Sequence, residues 1–229
     1  MVIAIDGPSA SGKSTVARLV AEALGFLHVD TGAMYRAVAW KMLGDGVDSA
    51  DVAAVVRRLD TLRMDLDFSA ENDGPRTLRL RLDGADPGGD LRSPRVERAV
   101  SAFAAIPEVR TWCVARQREL ASRGDLVVEG RDIGTVVFPD TPYKFFLDAR
   151  PEVRARRRAA ERESAGELAA VAHVARDMTE RDRLDRSRTV APLRVAEDAC
   201  RLDTSNLDAR GVADLVLRHV RSRHAATAS

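Results

Sequence analysis

Gly7 to Ser14, "GPSASGKS", satisfies the spacing G-x-x-x-x-G-K-[ST] and lies between a β-rich run, Val2–Ile5, and an apolar-periodic stretch, Ser14 to Leu24. Strand, glycine loop and helix together are the context in which this spacing binds nucleoside triphosphates. Glycines let backbone N–H groups converge on an anion, and the helix amino end adds partial positive charge. Lys13 is then placed to reach the β- and γ-phosphates, and the Ser14 hydroxyl to ligate Mg²⁺. An ordinary Gly/Ser turn needs neither the lysine nor the flanking elements.

Three further stretches carry charge where chemistry could use it. In "VEGRDIGTVVFP", residues 128–139, Arg131 and Asp132 sit between Gly130 and Gly134, with apolar runs on both sides. The glycines predict a backbone that passes close to a ligand. "HVDTGAMYR", residues 28–36, ends a second strand and opens a helix, with Thr31 as its expected cap. Strand carboxyl ends of an open α/β sheet surround the ligand crevice, which places Asp30, Thr31, Tyr35 and Arg36 near the first loop. Arg36 is a candidate grip for an acceptor phosphate. In "RDRLDRSR", Arg181, Asp185 and Arg188 recur at i, i+4 and i+7, one helical face. Such a stripe can pair internally in water. Just upstream, "RARRRAAER" is far richer in arginine than in acids. A mobile arginine arm beside a phosphate loop suits phosphoryl transfer, which needs charge neutralised and water excluded.

The elements that must position these residues read as an α/β order. Val2–Ile5, the Ser14 to Leu24 helix stopped by Gly25, the strand "FLHVD" and the helix "TGAMYRAVAWKML" alternate as a parallel sheet requires. "LRMDLDF" and "TLRLRLDG" instead alternate with period two, an antiparallel hairpin with one solvated face, separated by "SAENDGPR". "GADPGGDLRSP" reads as a loop, followed by helices from Pro94 and from Glu108 to Ser122. "DLVVEG", "KFFLDA" and "ACRLDTS" are strands, Pro151 to Arg188 a charged helical arm, and Ala209 to Val220 a last helix before a fraying "SRHAATAS".

The 229 residues hold 36 Lys+Arg against 35 Asp+Glu, so net charge selects no partner. Only Lys13, Lys41 and Lys144 are lysines, and arginine is the side chain that clamps phosphates bidentately. Cys113 and Cys200 form no CxxC and are expected as buried, reduced thiols. The amino end is too short for a signal-peptide core and no apolar run approaches membrane length, so a soluble cytoplasmic protein is expected. Neither asparagine begins an N-K-x-D, and the D-x-x-G at Asp208–Gly211 lies too near the carboxyl end for a GTPase switch. A kinase of a small acceptor remains.

Taken together, "DGPSASGKST", "DTGAMYR", "EGRDIGTVVFPD" and "ERDRLDRSRTVAPL" resemble bacterial-type cytidylate kinases, in order from Val2 to about Asp203. The resemblance implies a P-loop NTPase-type three-layer α/β/α fold with a parallel central sheet. It implies one nucleoside monophosphate kinase domain over 1–229, with an acceptor-binding β-containing insert at about 60–100 and a helical lid at about 151–188. It implies that ATP lies on Gly7, Pro8, Ser9, Ala10, Ser11, Gly12, Lys13, Ser14 and Thr15, with Mg²⁺ held through Ser14. CMP or dCMP would meet Ser101, Arg110, Asp132 and Arg188 at the base, Arg36 and Arg131 at the phosphate, and Arg181 and Asp185 at the sugar, with Thr31 and Tyr35 alongside. Lys13, Arg131, Arg181 and Arg188 would carry the catalysis. Thr31 stands where the family often has serine, keeping the hydroxyl. A monomer acting on free nucleotides, with no nucleic-acid or membrane partner, is the expectation.

Cytosine presents an amino group at C4 and acceptors at N3 and O2. Asp132 can accept from the amino group and Arg110 can donate to the acceptors; uracil reverses two of these, leaving both charges misdirected. Rival readings are a kinase of UMP, shikimate or dephospho-coenzyme A, or a regulatory module gripping RNA through the arm. Aromatic residues at 4% argue against a nucleic-acid platform.

Overall fold

Apolar strands that must bury both faces need helices above and below, and the chain supplies them in that order. A computed structural model describes residues 1–70, 74–164, 166 and 170–227. Strands β1 (Val2–Asp6), β2 (Leu27–Asp30), β3 (Met64–Ser69), β4 (Thr77–Leu82), β5 (Leu126–Gly130), β6 (Tyr143–Asp148) and β7 (Cys200–Asp203) form one sheet in the order β3-β4-β2-β5-β1-β6-β7. Every described pairing is parallel except β3 against β4. Helices α1 (Lys13–Leu24) and α8 (Ala209–Thr227) cover one face, where Val16, Val20, Val212 and Val216 pack on Ile3, Ile5, Phe145 and Leu147. Helices α2 (Thr31–Gly44), α4 (Pro94–Ala105) and α5 (Pro107–Glu119) cover the other, where Met34, Val38, Val100, Phe103 and Val109 meet Ala4, Val29 and Val128. Ile3 and Ile5 face one layer and Ala4 the other, the period-two alternation of a strand. This is the three-layer α/β/α fold that the resemblance implies.

The hairpin joins this sheet rather than standing apart. β4 pairs with β2 at His28 and Thr77, while Phe68, Leu78, Leu80 and Leu82 enter the core beneath α2. Asp65, Asp67, Arg79 and Arg81 take the exposed face, as the alternation predicts. Part of the connection, Glu71–Asp73, lies outside the described residues. The arm folds as two packed helices, α6 (Pro151–Ser164) and α7 (Val171–Ser187); residues 165 and 167–169 between them are outside the description.

Several expectations are corrected. Helix α3 (Val52–Thr61), capped by Asp51, has no counterpart in the sequence reading. The loop at 84–94 contains a 3₁₀ turn, Gly88–Arg92. The carboxyl end does not fray at Ser222: α8 continues to Thr227, held in part by a contact between the Tyr143 hydroxyl and His224 Nδ1 at 3.2 Å; Ala228 and Ser229 are not described. Cys113 is buried, and burial pushes its thiol up to about 12, but Cys200 on the edge strand β7 is only half-buried. No helix among the described residues is long and apolar enough to cross a membrane.

Candidate active site

Carboxyl ends of parallel strands expose backbone and side chains to a common crevice. Here β1, β2 and β5 end beside one another, Asp6 next to Gly130 and Asp30 next to Glu129. Above them opens a cavity of about 670 Å³, walled by the first loop, α2, α4, α5, the turn after β5 and the arm.

The first loop turns into α1 at Gly12, whose φ of +89° is left-handed. Gly7 is needed for close packing: a Cβ there would lie 2.0 Å from the Leu147 carbonyl oxygen. Ser9, Ala10, Gly12, Lys13, Ser14 and Thr15 line the cavity, whereas Gly7, Pro8 and Ser11 form the loop behind it. The Lys13 ammonium is 6% exposed and donates to the Pro8 carbonyl at 2.7 Å. Burial pushes it down to about 7, the Arg131 charge adding to the effect and Glu129 opposing it. The Ser14 hydroxyl donates to Glu129 Oε2 at 2.7 Å, and Glu129 Oε1 stands 3.1 Å from His28 Nε2.

At the second stretch, the expected cap is displaced by one residue. Asp30, not Thr31, caps α2, accepting the Ala33 N–H at 3.1 Å; Thr31 is the first helical residue, and its hydroxyl donates to the Glu129 carbonyl at 2.7 Å. Asp30 also receives Arg36 at 2.6 Å. Burial opposes ionisation of Asp30, but the positive groups around it, Arg36 foremost and Arg92 among them, together outweigh it and hold the carboxyl at about 2.

Arg131 and Asp132 do not pair with each other. Arg110, 2% exposed, donates to Asp132 Oδ2, also donates to the Ala104 carbonyl at 3.3 Å, and lies 5.2 Å from the centroid of the Tyr35 ring. Ser101 lines the same part of the wall. Arg131 Nε donates instead to Asp185 Oδ2 at 2.9 Å, and Arg188 donates to Asp185 Oδ1. Burial works against the Asp185 charge, yet Arg131 and Arg188 hold its carboxyl below the usual range. The glycines beside the pair serve packing inside the protein: a Cβ on Gly130 would meet Ile133 at 2.6 Å and Thr31 Oγ1 at 2.7 Å, and one on Gly134 would meet the Lys144 stem at 3.1 Å. Gly130 also lines the cavity, as expected of backbone passing close to a ligand, whereas Gly134 does not.

The arm is docked over the crevice. Arg154 donates to the Ser9 carbonyl at 3.2 Å and to Asp182 at 2.6 Å, while Arg157 donates to Thr204, whose hydroxyl reaches the Ser11 carbonyl at 2.9 Å. Glu97 Oε2 on α4 accepts from Arg158 at 2.8 Å and from Arg181 at 2.9 Å, tying the insert to both arm helices. Arg181 and Asp185 share a face of α7, but Arg188 lies past its end with an extended backbone, so the three-residue stripe is two helical positions and one cap.

All the sequence-predicted acceptor residues, Thr31, Tyr35, Arg36, Ser101, Arg110, Arg131, Asp132, Arg181, Asp185 and Arg188, line this one cavity. Sequence reasoning passed over Glu129 and Glu97, and singled out Arg158 only as one of the arginines of "RARRRAAER". Glu129 had a readable signal, a carboxylate closing the apolar run "LVV"; Glu97 had none beyond its helix. Arg36 Nε, Arg110 Nε and Arg181 Nε are buried donors without a partner, all on cavity-lining side chains. Unpaired buried donors around a polar cavity ask for an acceptor-rich ligand.

Comparisons with known proteins point to one family. A family model described as cytidylate kinase matches residues 3–222. The chain is 47% identical over 218 residues to the cytidylate kinase of Pelotomaculum thermopropionicum, covering 95% of each protein. It is 46% identical over 224 residues to that of Mycolicibacterium paratuberculosis, covering 97% of this chain and 96% of the relative. The crystal structure of an uncharacterized protein from Eubacterium ventriosum matches with a TM-score of 0.51 at 12% identity over 97% of this chain and 98% of that one, a likeness of fold alone. With four motifs meeting at one cavity and relatives this similar over nearly their whole length, the chain belongs to the cytidylate kinase family.

Proposed function

We propose that this protein transfers the γ-phosphoryl group of ATP to CMP or dCMP, giving ADP and CDP or dCDP. One observation carries the choice of acceptor: the buried Arg110–Asp132 pair on the cavity wall, with the Tyr35 ring beside it and a donor, Arg110 Nε, left over. Cytosine offers an amino group for the carboxylate and acceptors for the guanidinium. The chain works as one domain, with the insert at about 60–100 receiving the acceptor and the arm at about 151–188 closing over both nucleotides. A monomer in the cytoplasm is the simplest setting for a reaction between two free nucleotides.

Donor phosphates take the first loop and Lys13. The acceptor phosphate takes Arg36 and Arg131, and the sugar takes Arg181 and Asp185. An oxygen of the acceptor's 5′-phosphate attacks the γ-phosphorus in line, and the bond to the β–γ bridging oxygen breaks with its electrons leaving on ADP. The attacking dianion is its own nucleophile, so no protein base is assigned; Asp30 is occupied by its cap and by Arg36. The Arg36 and Arg131 guanidiniums, bonded to Asp30 and Asp185, keep further N–H donors for the acceptor phosphate.

Mg²⁺ fits the donor set. Among the described residues no cluster of three or more His, Cys, Asp or Glu is arranged to hold a metal. Ser14 and Glu129 nevertheless offer hard oxygens at the loop, 2.7 Å apart, and Mg²⁺ is commonly held by one or two protein oxygens with phosphates and water completing its shell. When bound there, it would neutralise charge on the transferring phosphates.

The test is a steady-state assay with ATP–Mg²⁺ and CMP, dCMP, UMP or AMP. Two reversed charge-assisted hydrogen bonds, roughly 1.5–3 kcal/mol each, predict that kcat/KM for CMP exceeds that for UMP by about a hundredfold or more. UMP or AMP outrunning CMP would show the base assignment to be wrong.

A proton accompanies nucleotide binding. With its pKa near 7, the Lys13 amine is mostly neutral at pH 8 in the free protein. Phosphates beside it favour the ammonium and raise the value, so binding takes up as much as about one proton at that pH, and affinity falls as pH rises above 7. Calorimetry in buffers of different ionisation enthalpy reads this directly, and the uptake should vanish in Lys13→Met.

A further inference from the structure

Asp6 is the last residue of β1 and directly precedes Gly7, where the phosphate loop begins. Its side chain is buried and points across the sheet to the turn after β5. Oδ1 accepts the backbone N–H of Ile133 at 2.8 Å, and Oδ2 accepts that of Gly134 at 2.8 Å. These are the first two amides of a π-helical turn, Ile133–Val137, which no side chain at the preceding position caps. First-turn amides have no partner within their own helix. A carboxylate from a strand 127 residues away supplies what the local sequence does not.

The residue immediately before that turn is Asp132. Its carbonyl is drawn into the turn, accepting the N–H of Val136 at 2.9 Å and of Val137 at 3.2 Å. Asp132 therefore has its backbone held at the carbonyl by the turn, and the turn is held by Asp6. Gly134 belongs to the same arrangement: a Cβ there would sit 3.1 Å from the Lys144 stem and 3.5 Å from Asp6 Oδ2. A methyl at 134 would press on the Lys144 stem and so push the turn that carries this amide, while meeting the carboxylate only in ordinary contact. Burial pushes the Asp6 carboxyl up to about 6, the two amides pull it down, Asp132 raises it and Lys13 lowers it. A carboxylate kept in so unfavourable a position has a task that an apolar side chain could not perform.

We infer that Asp6 is a positioning residue for base selection: by gripping the Ile133 and Gly134 amides it fixes the turn that aims Asp132 at Arg110 and at the acceptor base. Because Asp6 is joined covalently to Gly7, the loop that holds the donor and the turn that reads the acceptor are registered to one strand end. The inference rests on the reading of Asp132 as the carboxylate that accepts from the cytosine amino group.

The experiment measures kcat and KM for CMP, UMP and ATP in the wild-type protein, in Asp6→Asn and in Gly134→Ala, with a thermal melt of each. The asparagine keeps the size but offers one acceptor to two amides and turns its own N–H₂ toward the second. One charge-assisted hydrogen bond is roughly 1.5–3 kcal/mol, so the CMP-to-UMP ratio of kcat/KM should fall by about tenfold or more, through a higher KM for CMP. KM for ATP should change by less than about threefold, a small fraction of that energy. Gly134→Ala, which keeps the carboxylate and displaces the turn through the Lys144 stem, should move the same ratio in the same direction by less. Both variants retaining the wild-type ratio, or KM for CMP and ATP rising together with a lowered melting temperature, would overturn the inference. A wild-type protein that does not favour CMP over UMP would instead remove the reading on which it rests.

Discussion

Lys13→Ala is expected to lower kcat by about a hundred- to a thousandfold while leaving the melting temperature unchanged or raised. Removing one preorganised group that stabilises developing charge has an effect of this order. The direction for stability follows from the site. The Lys13 amine is buried and its pKa is depressed to about 7, so below pH 7 the folded state carries a charge that the unfolded state holds more comfortably. The unfolded chain, with an ordinary lysine value, binds more protons between pH 7 and about 10.5, and stability rises with pH across that window. Alanine removes both the penalty and this pH dependence, at the loss of one hydrogen bond to the Pro8 carbonyl. Single-turnover measurement with saturating ATP and CMP separates chemistry from binding. Turnover close to wild type would refute the cradle role of Lys13, and a collapsed fold would contradict the electrostatic account.

Asp132→Ala should raise KM for CMP by about a hundredfold with little change for ATP, since the acceptor for the cytosine amino group is removed and the phosphate loop is not touched. Its side effect is also foreseeable. Arg110 is 2% exposed, and without Asp132 its charge keeps the Ala104 carbonyl and the Tyr35 ring but no carboxylate among the described contacts. Breaking a buried pair from one side costs about 3–5 kcal/mol, so the variant should melt at lower temperature. Asp132→Asn separates the two effects. An amide can accept from cytosine with its oxygen or, flipped, donate to uracil O4 with its nitrogen, so it should lose discrimination and admit UMP while keeping more of the stability. Equal losses for CMP and ATP in both variants would mean that Asp132 serves the fold alone.

The residues in which sequence and structure agree most closely are those whose role is settled over a few positions. "GPSASGKS" between a strand and a helix, Gly25 as a left-handed terminator and the period-two hairpin all depend on backbone conformation or side-chain alternation, and all stand as the sequence predicts. Helix α3 escaped because it is ten residues long, with β-branched Val52, Val55 and Val56, in a stretch that the sequence reading left unassigned between a helix and the hairpin. The apolar "TVVF" became a π-helical turn because the Asp6 carboxylate, far away in the chain, is there to receive its first amides.

Partner choice among charges was the part that only tertiary structure decided. By sequence, Arg131 and Asp132 are adjacent, and Arg181, Asp185 and Arg188 form a helical stripe. In the folded chain Asp132 pairs with Arg110 on α5, Arg131 with Asp185 on α7, and Arg181 with Glu97 on α4. Thr31 gave up the cap to Asp30, since its hydroxyl has the Glu129 carbonyl to bond. Residue types and local spacing thus determined the family, the layer architecture and the set of side chains that gather at the cavity. Which guanidinium faces which carboxylate depended on how β1, β5, α5 and the arm approach in space. Coulomb attraction and hydrogen bonding depend on distance through space, and a separation along the chain does not encode it.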